Sequence, residues 1–600
     1  MDTIYMLELI LFAVSALFAS GILFHHKRAF TYLACAGALF EMEMMLSAYI
    51  RRQFVHNIGG QTFYLLAGIL LVALCASLYK HWKSPYITPG SGKRDGFVGI
   101  ALIVVFALAY PIISANGYRG DNFVLHGFYN GDVVTFASLI NKSFATIGLV
   151  QENPFSANGS LEYPTLLHGA FADFFSLTGI DSGWLRFLSI MTYAQILITI
   201  PMFFLLWDTV FPEPKNKSEL WFGIVSRNTV YGLQVILTLI AVGLSLDSYV
   251  YPQSHFFLIA SFLSALALFS SALGQKGERQ LLLVIPAICI AILLLLANTV
   301  TGTAAAGLVG TLAFIRIFDR KRSVKERALY LLIGFGVLLM MRAASTSRVS
   351  FMHPHFSVSA ANDMIRAGLP YLFVLAAAVY ALSRKQYLAI SSILIGFLGV
   401  FTFFLADRNI VTENASRFLY HGFLIGFPLL AGPIITYLYF LRREIRLTSR
   451  PASEIISGWI GVIIILAILF MPFGISAGST YSNLLKNDAH TISFNTQETL
   501  WWIDAHAKPL DVIIANPNEP FSVPLFTSKA LLRTNDYWLS LQDTTTEAIV
   551  SAFAGDAASQ QEVLAQGNYL LLTPEEQKTW DVSKLKKVFE SPDSVVYWLK

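Results

Sequence analysis

The chain has 600 residues, of which 55% are hydrophobic and only 13% are charged, and its formal net charge is +4. Soluble globular proteins carry about a quarter of their residues charged, so this composition excludes a water-soluble globule and indicates a membrane protein. The small net charge gives no indication of nucleic-acid binding. The distribution of Lys and Arg among the loops matters more, because in membrane proteins these residues favour the cytoplasmic side.

Apolar runs of roughly 18 residues or more recur from Thr3 almost to Gly474, and each is long enough to cross a hydrocarbon core of about 30 Å as a helix. The first run lacks a basic leader and a cleavage site, so we expect a retained span. The fold class predicted is a mainly α polytopic bundle of about 14 spans. The spans are predicted at residues 3–24, 29–49, 60–79, 96–115, 184–207, 228–247, 254–274, 280–297, 301–318, 328–344, 366–383, 386–406, 417–441 and 455–474.

The segment from Tyr163 to Leu177 decides the orientation. It is apolar but only about 15 residues long, and it contains His168 and Asp173, so it suits a helix lying in the membrane interface. If it does not span, the basic clusters fall in alternate loops, which the positive-inside rule places in the cytoplasm. The N terminus and the C-terminal domain are then outside. Arg51 and Arg52 are the exception, since they are predicted in an outer loop.

The first large outer loop is predicted at residues 116–183, far longer than the few residues that usually join packed helices. Gly131-Asp132 precedes a helical pattern, and Tyr163-Pro164 precedes a second one. We therefore expect two interfacial helices folded over the outer mouth of the bundle. Glu41 and Glu43 lie within the second predicted span, where ionisable residues are costly and indicate function, but their role is left open.

After Ile475 the composition becomes mixed polar and apolar. Strands are predicted at residues 511–515, 530–533, 569–572 and 595–599, and helices at residues 496–507, 546–554 and 560–565. Strands that alternate with helices predict a small α/β domain with a partly parallel sheet. No phosphate-binding loop or nucleophile elbow occurs in it, so either an acceptor-binding or a purely structural role is expected.

Several short motifs resemble the GT-C class of membrane glycosyltransferases, which use polyprenyl-phosphate sugars on the outer face. They are Gly131-Asp132, Glu152-Asn153-Pro154-Phe155, Leu161-Glu162-Tyr163-Pro164-Thr165-Leu166-Leu167-His168 and Glu413-Asn414-Ala415-Ser416-Arg417-Phe418-Leu419. The resemblance extends from about Arg94 to the end of the chain. It implies additional N-terminal transmembrane helices at residues 1–95, a GT-C-like module at residues 96–475 and an extracytoplasmic α/β domain at residues 476–600.

The resemblance implies a multi-pass plasma-membrane enzyme that transfers a hexosyl or pentosyl group from a polyprenyl-phosphate donor. Inversion at the sugar carbon and a role in cell-envelope glycan or glycoconjugate assembly are expected. The expected partners are the lipid-linked sugar, a glycan, lipid or protein acceptor and membrane lipids. No cofactor is indicated, and the requirement for a divalent metal is left open, because the chain has no adjacent acidic pair of the DxD type.

This chemistry requires a carboxylate base for the acceptor hydroxyl and cationic partners for the phosphate leaving group. Asp132 is the first candidate for the base, although an Asp at the start of a helix also suits an N-cap. Asp121 is the second candidate, and its alternative role is that of a solvated turn residue.

A guanidinium is well shaped to hold a phosphate, which makes Arg417 the candidate for that role. Its alternative role is an interfacial anchor. His168 is expected to contact phosphate or sugar, with packing as the alternative. The further candidates for substrate contacts are Glu152, Tyr163 and, in a gating loop at residues 345–366, Arg348, His355 and Arg366.

Three other functions are consistent with these patterns. A transporter or flippase of lipid-linked or small-molecule substrates is the main alternative, and it would favour ionisable residues at mid-membrane and broken helices in two repeats. A polymerase or ligase of lipid-linked glycans and a non-catalytic membrane scaffold are the others.

Overall fold

The computed structural model describes residues 3–24, 29–55, 58–81, 92–126, 130–155, 157, 164–180, 183–210, 227–243, 254–273, 275, 277–319, 321–344, 368, 371–379, 381–382, 388–405, 409–430, 434, 460, 467, 471, 474–475, 478, 481–482, 489–517, 522–532 and 545–599.

The larger part of the chain is helical, and its helices follow the predicted spans closely. In the described residues they are α1 (Thr3–Phe24), α2 (Ala29–Phe54), α3 (Gly60–His81), α4 (Gly92–Ile113), α5 (Asn130–Ala145), α6 (Leu166–Thr178), α7 (Leu188–Val210), α8 (Arg227–Gly243), α9 (Ser254–Leu273), α10 (Glu278–Ala297), α11 (Thr299–Ile317), α12 (Val324–Ala344), α13 (Leu388–Leu405) and α14 (Asn409–Gly426). The mainly α bundle predicted from the sequence is thereby confirmed.

Seven described helices are long and apolar enough to cross a membrane, namely α1 to α4, α7, α10 and α11. Their runs of apolar residues make the bilayer the solvent for this part of the chain. The chain is therefore a polytopic membrane protein. The total of about 14 spans stays a prediction, since the spans predicted at residues 366–383, 417–441 and 455–474 fall partly or largely outside the described residues.

Arg51 and Arg52 do not lie in an outer loop, and that prediction is wrong. α2 continues beyond the predicted span to Phe54, so both residues belong to its last turn. A cation is favourable there, because carbonyl groups at a helix C terminus carry partial negative charge. The side chain of Arg52 is buried, which removes the residue from the set of free loop charges that orient the chain.

Between α4 and α7 the chain forms a short hairpin and two helices. The hairpin strands are β1 (Gly117–Arg119) and β2 (Asn122–His126), and β2 pairs antiparallel with β3 (Ala489–Ile492). Gly120 turns the hairpin with a positive φ of 64°, which favours glycine. This sheet was not predicted, and it joins the large loop directly to the C-terminal region.

The C-terminal region contains the predicted α/β arrangement. Its elements after β3 are α15 (Phe494–His506), β4 (Val512–Ile514), α16 (Ser522–Phe526), β5 (Ala530–Leu531), α17 (Thr545–Phe553), α18 (Ala557–Leu564), β6 (Tyr569–Leu572), β7 (Lys586–Glu590) and β8 (Val595–Trp598). The sheet order is β5-β4-β6-β8-β7, with β4 parallel to both β5 and β6 and the remaining pairs antiparallel. The expectation of a partly parallel sheet is confirmed.

α9 connects two ends of the bundle that differ in composition. Near its start, Phe257 stacks on Phe136 of α5 at 5.1 Å between ring centroids. After its end, the carbonyl of Gln275 accepts a hydrogen bond from Arg322, which lies in the basic loop between α11 and α12. α9 has 20 residues and is therefore about 30 Å long. The large loop and these basic loops therefore lie at opposite ends of the bundle.

Candidate active site

α5 and α6 form the centre of the candidate site. They pack against each other, and α6 also packs on α2. With 13 residues, α6 is about 20 Å long and too short to cross the membrane. Gly179 ends it in the left-handed conformation, where its N–H reaches the carbonyls of Phe175 and Ser176. The short length agrees with the prediction that the segment does not span, and its place in the membrane interface stays a prediction.

α5 is buried on every side rather than lying in the interface with one face free. Its six apolar residues from Val133 to Ile140 are at most 2% exposed. The cause is a second layer above it: the side-chain amide of Asn141 donates to the carbonyls of Pro524 and Leu525 in α16, at 3.2 and 2.6 Å. The indole N–H of Trp184 donates to the side-chain oxygen of Asn141 at 2.8 Å. α5 is thus enclosed between the bundle and the C-terminal domain.

Asp132 is the third residue of α5, since the helix begins at Asn130. It lies inside the first turn rather than at the N-cap position considered in the sequence. Peptide dipoles make the first turn of a helix favourable for a carboxylate. Phe136 follows one turn later, on the same face of the helix. The backbone therefore places Asp132 about 6 Å along α5 from Phe136.

His168 packs on that same Phe136, with 5.2 Å between ring centroids. The imidazole is 1% exposed, and burial lowers the pKa of His168 to about 3. It is therefore neutral at physiological pH and offers one N–H donor and one acceptor. Such a group hydrogen-bonds a sugar or phosphate without adding charge. His168 therefore contacts α5 one turn after the turn that contains Asp132.

Arg417 lies in the middle of α14, which begins eight residues earlier at Asn409, and its place at a membrane boundary stays a prediction. His421, one turn further on, packs its ring against Phe262 of α9 at 4.9 Å. Phe257, which stacks on Phe136, is five residues before Phe262 in the same helix. At the other end of α14, Phe427 contacts Trp207 near the end of α7. Arg417 is thus one helical turn before the residue through which α14 contacts α9.

The remaining predicted residues have different surroundings. Asp121 is exposed in the turn between β1 and β2, where its carbonyl accepts a hydrogen bond from Gln497. The carboxylate of Glu152 pairs with Lys142 at 2.7 Å and is 57% exposed. The other predicted substrate-contact residues lie outside the described residues: Tyr163, Arg348, His355 and Arg366.

Within the described part of the chain, no group of three His, Cys, Asp or Glu residues could hold a metal ion. The groups at α5 and α6 that could take part in chemistry are a carboxylate in the first turn of α5 and the neutral imidazole of α6, and the guanidinium of Arg417 lies on α14, which contacts α9. These groups fit proton transfer and the binding of an anionic leaving group.

Sequence analysis missed an ion-pair cluster beside this site. Asp173 of α6 accepts hydrogen bonds from Arg51 and Arg52 of α2 and from Tyr64 of α3, at distances between 2.5 and 3.2 Å. The signal was present, because Asp173 is an acidic residue in an apolar segment and the two arginines violate the charge rule. Each anomaly explains the other, since a buried charge requires a partner.

No protein-family model matches the chain, and no curated protein matches it. Solved structures that are similar include the oligosaccharyltransferase of Archaeoglobus fulgidus in the apo form, with 12% identity, a TM-score of 0.47 and coverage of 79% of this chain and 69% of that one. The oligosaccharyltransferase AglB of the same organism, in complex with an inhibitory peptide and a dolichol-phosphate, matches with 10% identity, a TM-score of 0.37 and coverage of 81% and 70%.

ArnT from Cupriavidus metallidurans, bound to undecaprenyl phosphate, has 12% identity, a TM-score of 0.42 and coverage of 84% of this chain and 98% of that one. These proteins are GT-C glycosyltransferases, the class that the sequence motifs resemble. A likeness at these scores assigns no activity to this chain.

Proposed function

We propose that this protein is a membrane glycosyltransferase that moves a sugar from a polyprenyl-phosphate donor to an acceptor on the extracytoplasmic face. The observation that carries the proposal is the enclosure of α5, with Asp132 in its first turn, between the bundle and the C-terminal domain. In this proposal the lipid donor approaches α5 from the bilayer, and the acceptor binds from the side of the C-terminal domain. A hexosyl or pentosyl group and inversion at the sugar carbon are parts of the same proposal.

In this mechanism Asp132 accepts the proton of the acceptor hydroxyl as the oxygen attacks the sugar carbon. The bond from that carbon to the phosphate oxygen breaks, and the polyprenyl phosphate leaves with the electron pair. Arg417 supplies positive charge for the leaving phosphate, and neutral His168 hydrogen-bonds the sugar or phosphate. Loop residues Arg348, His355 and Arg366, together with Tyr163, are proposed to complete the donor site.

The domain division belongs to this proposal. Residues 96–475 form the catalytic module, residues 476–600 form the domain that covers it, and residues 1–95 supply additional helices. β2 pairs with β3, and Asn141 bonds to α16, so the large loop and the C-terminal domain share one side of the bundle. The basic loop at Arg322 lies at the opposite end, which supports placing the shared side outside the cell.

The direct test is the transfer rate of the Asp132→Asn variant with polyprenyl-phosphate sugars. We expect a loss of about 10² to 10⁴-fold, because the amide cannot accept the proton and this is the usual contribution of base catalysis. Asp121→Asn is the matched control, since Asp121 is exposed in the hairpin turn, and it should retain activity. Full activity of Asp132→Asn in a folded protein would contradict the assignment of the base, and loss in Asp121→Asn alone would transfer the role to Asp121.

An ion-coupled transporter is the second candidate, because of one observation in the spans. Glu8 is fully buried in α1, and both of its carboxylate oxygens lack a hydrogen-bond partner in the described residues. An ionisable residue kept inside a membrane span at such cost indicates function. Substrate uptake that depends on Glu8 in reconstituted vesicles, without any glycosyl transfer, would favour this candidate.

A further inference from the structure

The carboxylate of Asp173 in α6 receives four hydrogen bonds from two other helices. Arg51 donates to Oδ1 at 2.5 Å, and Arg52 donates to Oδ1 at 2.8 Å and to Oδ2 at 3.2 Å. The hydroxyl of Tyr64 donates to Oδ2 at 2.5 Å. The side chains of Arg52 and Asp173 are each 3% exposed. The pair is therefore a buried, two-point contact whose geometry is fixed by the planar guanidinium.

Arg52 also reaches α5. Its remaining N–H groups donate to the carbonyls of Ser143, Thr146 and Gly148, at 3.0 to 3.1 Å. A guanidinium has five N–H donors, and all five of Arg52 are used. One of them satisfies the carbonyl of Ser143 in the last turn of α5, where carbonyls have no partner within the helix, and two satisfy the carbonyls of Thr146 and Gly148 just after it. One side chain thus joins the end of α5 to the middle of α6.

Gly169 makes this contact sterically feasible. A Cβ atom at that position would lie 3.1 Å from Nε of Arg52 and 3.2 Å from its Cδ. Gly169 is one turn before Asp173, so both residues are on the same face of α6. Because Gly169 has no side chain, Arg52 can pack against α6 and hydrogen-bond the carboxylate of Asp173.

We propose that Arg52 and Asp173, supported by Arg51 and Tyr64, are positioning residues through which α2 and α3 hold α5 and α6 in their catalytic arrangement. The inference rests on the proposed function, and it gives the helices that precede the GT-C-like module a role in that reaction. Arg52 does not touch a substrate in this scheme. It acts through α5, which contains Asp132, and through α6, which contains His168.

Charge and shape are both needed for this role. Asp173→Asn leaves two guanidinium groups facing a neutral amide, so like charges are no longer compensated. Arg52→Lys keeps the charge but has three donors on one atom, which cannot reach the carboxylate and three carbonyls together. Both changes should make α6 and the C-terminal end of α5 more mobile, while the spanning helices stay folded.

Hydrogen exchange of the full-length protein in lipid nanodiscs tests this directly. In Arg52→Lys and Asp173→Asn we expect amides in residues 143–148 and 166–178 to exchange about 10-fold faster or more. Tyr64→Phe loses a single hydroxyl and should increase exchange about 2 to 5-fold, as expected for one hydrogen bond. Arg322→Lys is the matched control, because Arg322 is also buried and ion-paired but lies at the opposite end of the bundle.

Kinetics supply the second measurement. Loosening of α5 and α6 should lower kcat about 10-fold or more in Arg52→Lys and Asp173→Asn, with KM for the lipid donor within about 2-fold, since only the reacting geometry changes. The proposal would be overturned if both variants exchanged amides in residues 143–148 and 166–178 at the wild-type rate. It would also be overturned if their exchange became faster evenly over the whole bundle. If the wild-type protein transfers no sugar, the proposed function fails, and the exchange experiment still decides whether these residues position α5 and α6.

Discussion

His168 is neutral because its imidazole is buried, and this gives the protein a specific sensitivity to acid. Burial lowers its pKa from 6.5 to about 3, so between these values the unfolded chain binds a proton that the folded chain does not. Stability is therefore complete above pH 6.5 and falls as the pH decreases toward 3. From pH 6.5 to pH 5 the loss is about 2 kcal/mol, at roughly 1.4 kcal/mol per pH unit.

The measurement is the pH dependence of thermal unfolding for wild type and His168→Gln. The stability of the variant should change less than that of the wild type between pH 6.5 and 5, because glutamine does not bind a proton in this range. His506→Gln is the control, because His506 is exposed in the C-terminal domain. Equal acid sensitivity of wild type and His168→Gln would contradict the neutral, buried state of the imidazole.

Glu8 is a buried carboxyl group without a hydrogen-bond partner in the described residues. Both carboxylate oxygens lack partners in the described residues, whereas Glu43 accepts a hydrogen bond from Ser15 at 2.9 Å. Glu8→Met removes the unsatisfied group and keeps the volume, so we expect a gain of about 1 to 3 kcal/mol. Glu43→Met should give a smaller gain, because it also removes the carboxylate oxygen that accepts from Ser15 and leaves that hydroxyl only the sulfur of Cys75. Thermal unfolding in the same detergent measures both, and a destabilised Glu8→Met would show that the carboxylate has a partner in the membrane.

At the scale of the elements, α5 depends on the C-terminal domain for its cover. Asn141→Ala removes the donor to the carbonyls of Pro524 and Leu525 and the acceptor for Trp184. The expected loss is about 2 to 3 kcal/mol, because buried polar groups are left unsatisfied. Limited proteolysis near residues 522–526 should become faster, whereas Asn495→Ala, which removes one long hydrogen bond to Asp593, should change little.

The elements also show which parts of the fold the sequence predicts. The bounds of α1 agree with the predicted span, and α10 and α11 agree within two residues, because long apolar runs are local signals. β1, β2 and β3 escaped prediction, since β2 pairs with a strand more than 360 residues away. Short strands that pair over such a separation carry no local pattern that predicts their partner.

The same contrast holds for the site. The turn containing Asp132 and the short helix containing His168 were predicted from motifs that lie within single segments. The enclosure of α5 depends on α16, which is distant in the sequence, and the contact of Arg52 with Asp173 joins α2 to α6. A charged residue in an apolar helix signals that a partner exists, but the identity of that partner requires the packing.

In the molecule as a whole, the two ends of the bundle differ in composition. The large loop and the C-terminal domain share one end through the β2–β3 pair. The basic loop with Lys321 and Arg322 lies at the other end, about the length of α9 away. The positive-inside rule then assigns the basic end to the cytoplasm and the candidate site to the outside, where lipid-borne sugars would be presented.

Cysteine labelling in intact cells tests this orientation most directly. In a background without Cys35, Cys75 and Cys289, single cysteines replace exposed residues at the two ends: Asp121 in the hairpin, Lys584 in the C-terminal domain and Lys321 in the basic loop. We expect a membrane-impermeant maleimide to label positions 121 and 584 in intact cells and position 321 only after permeabilisation. Labelling of position 321 alone in intact cells would place the candidate site in the cytoplasm and contradict the account.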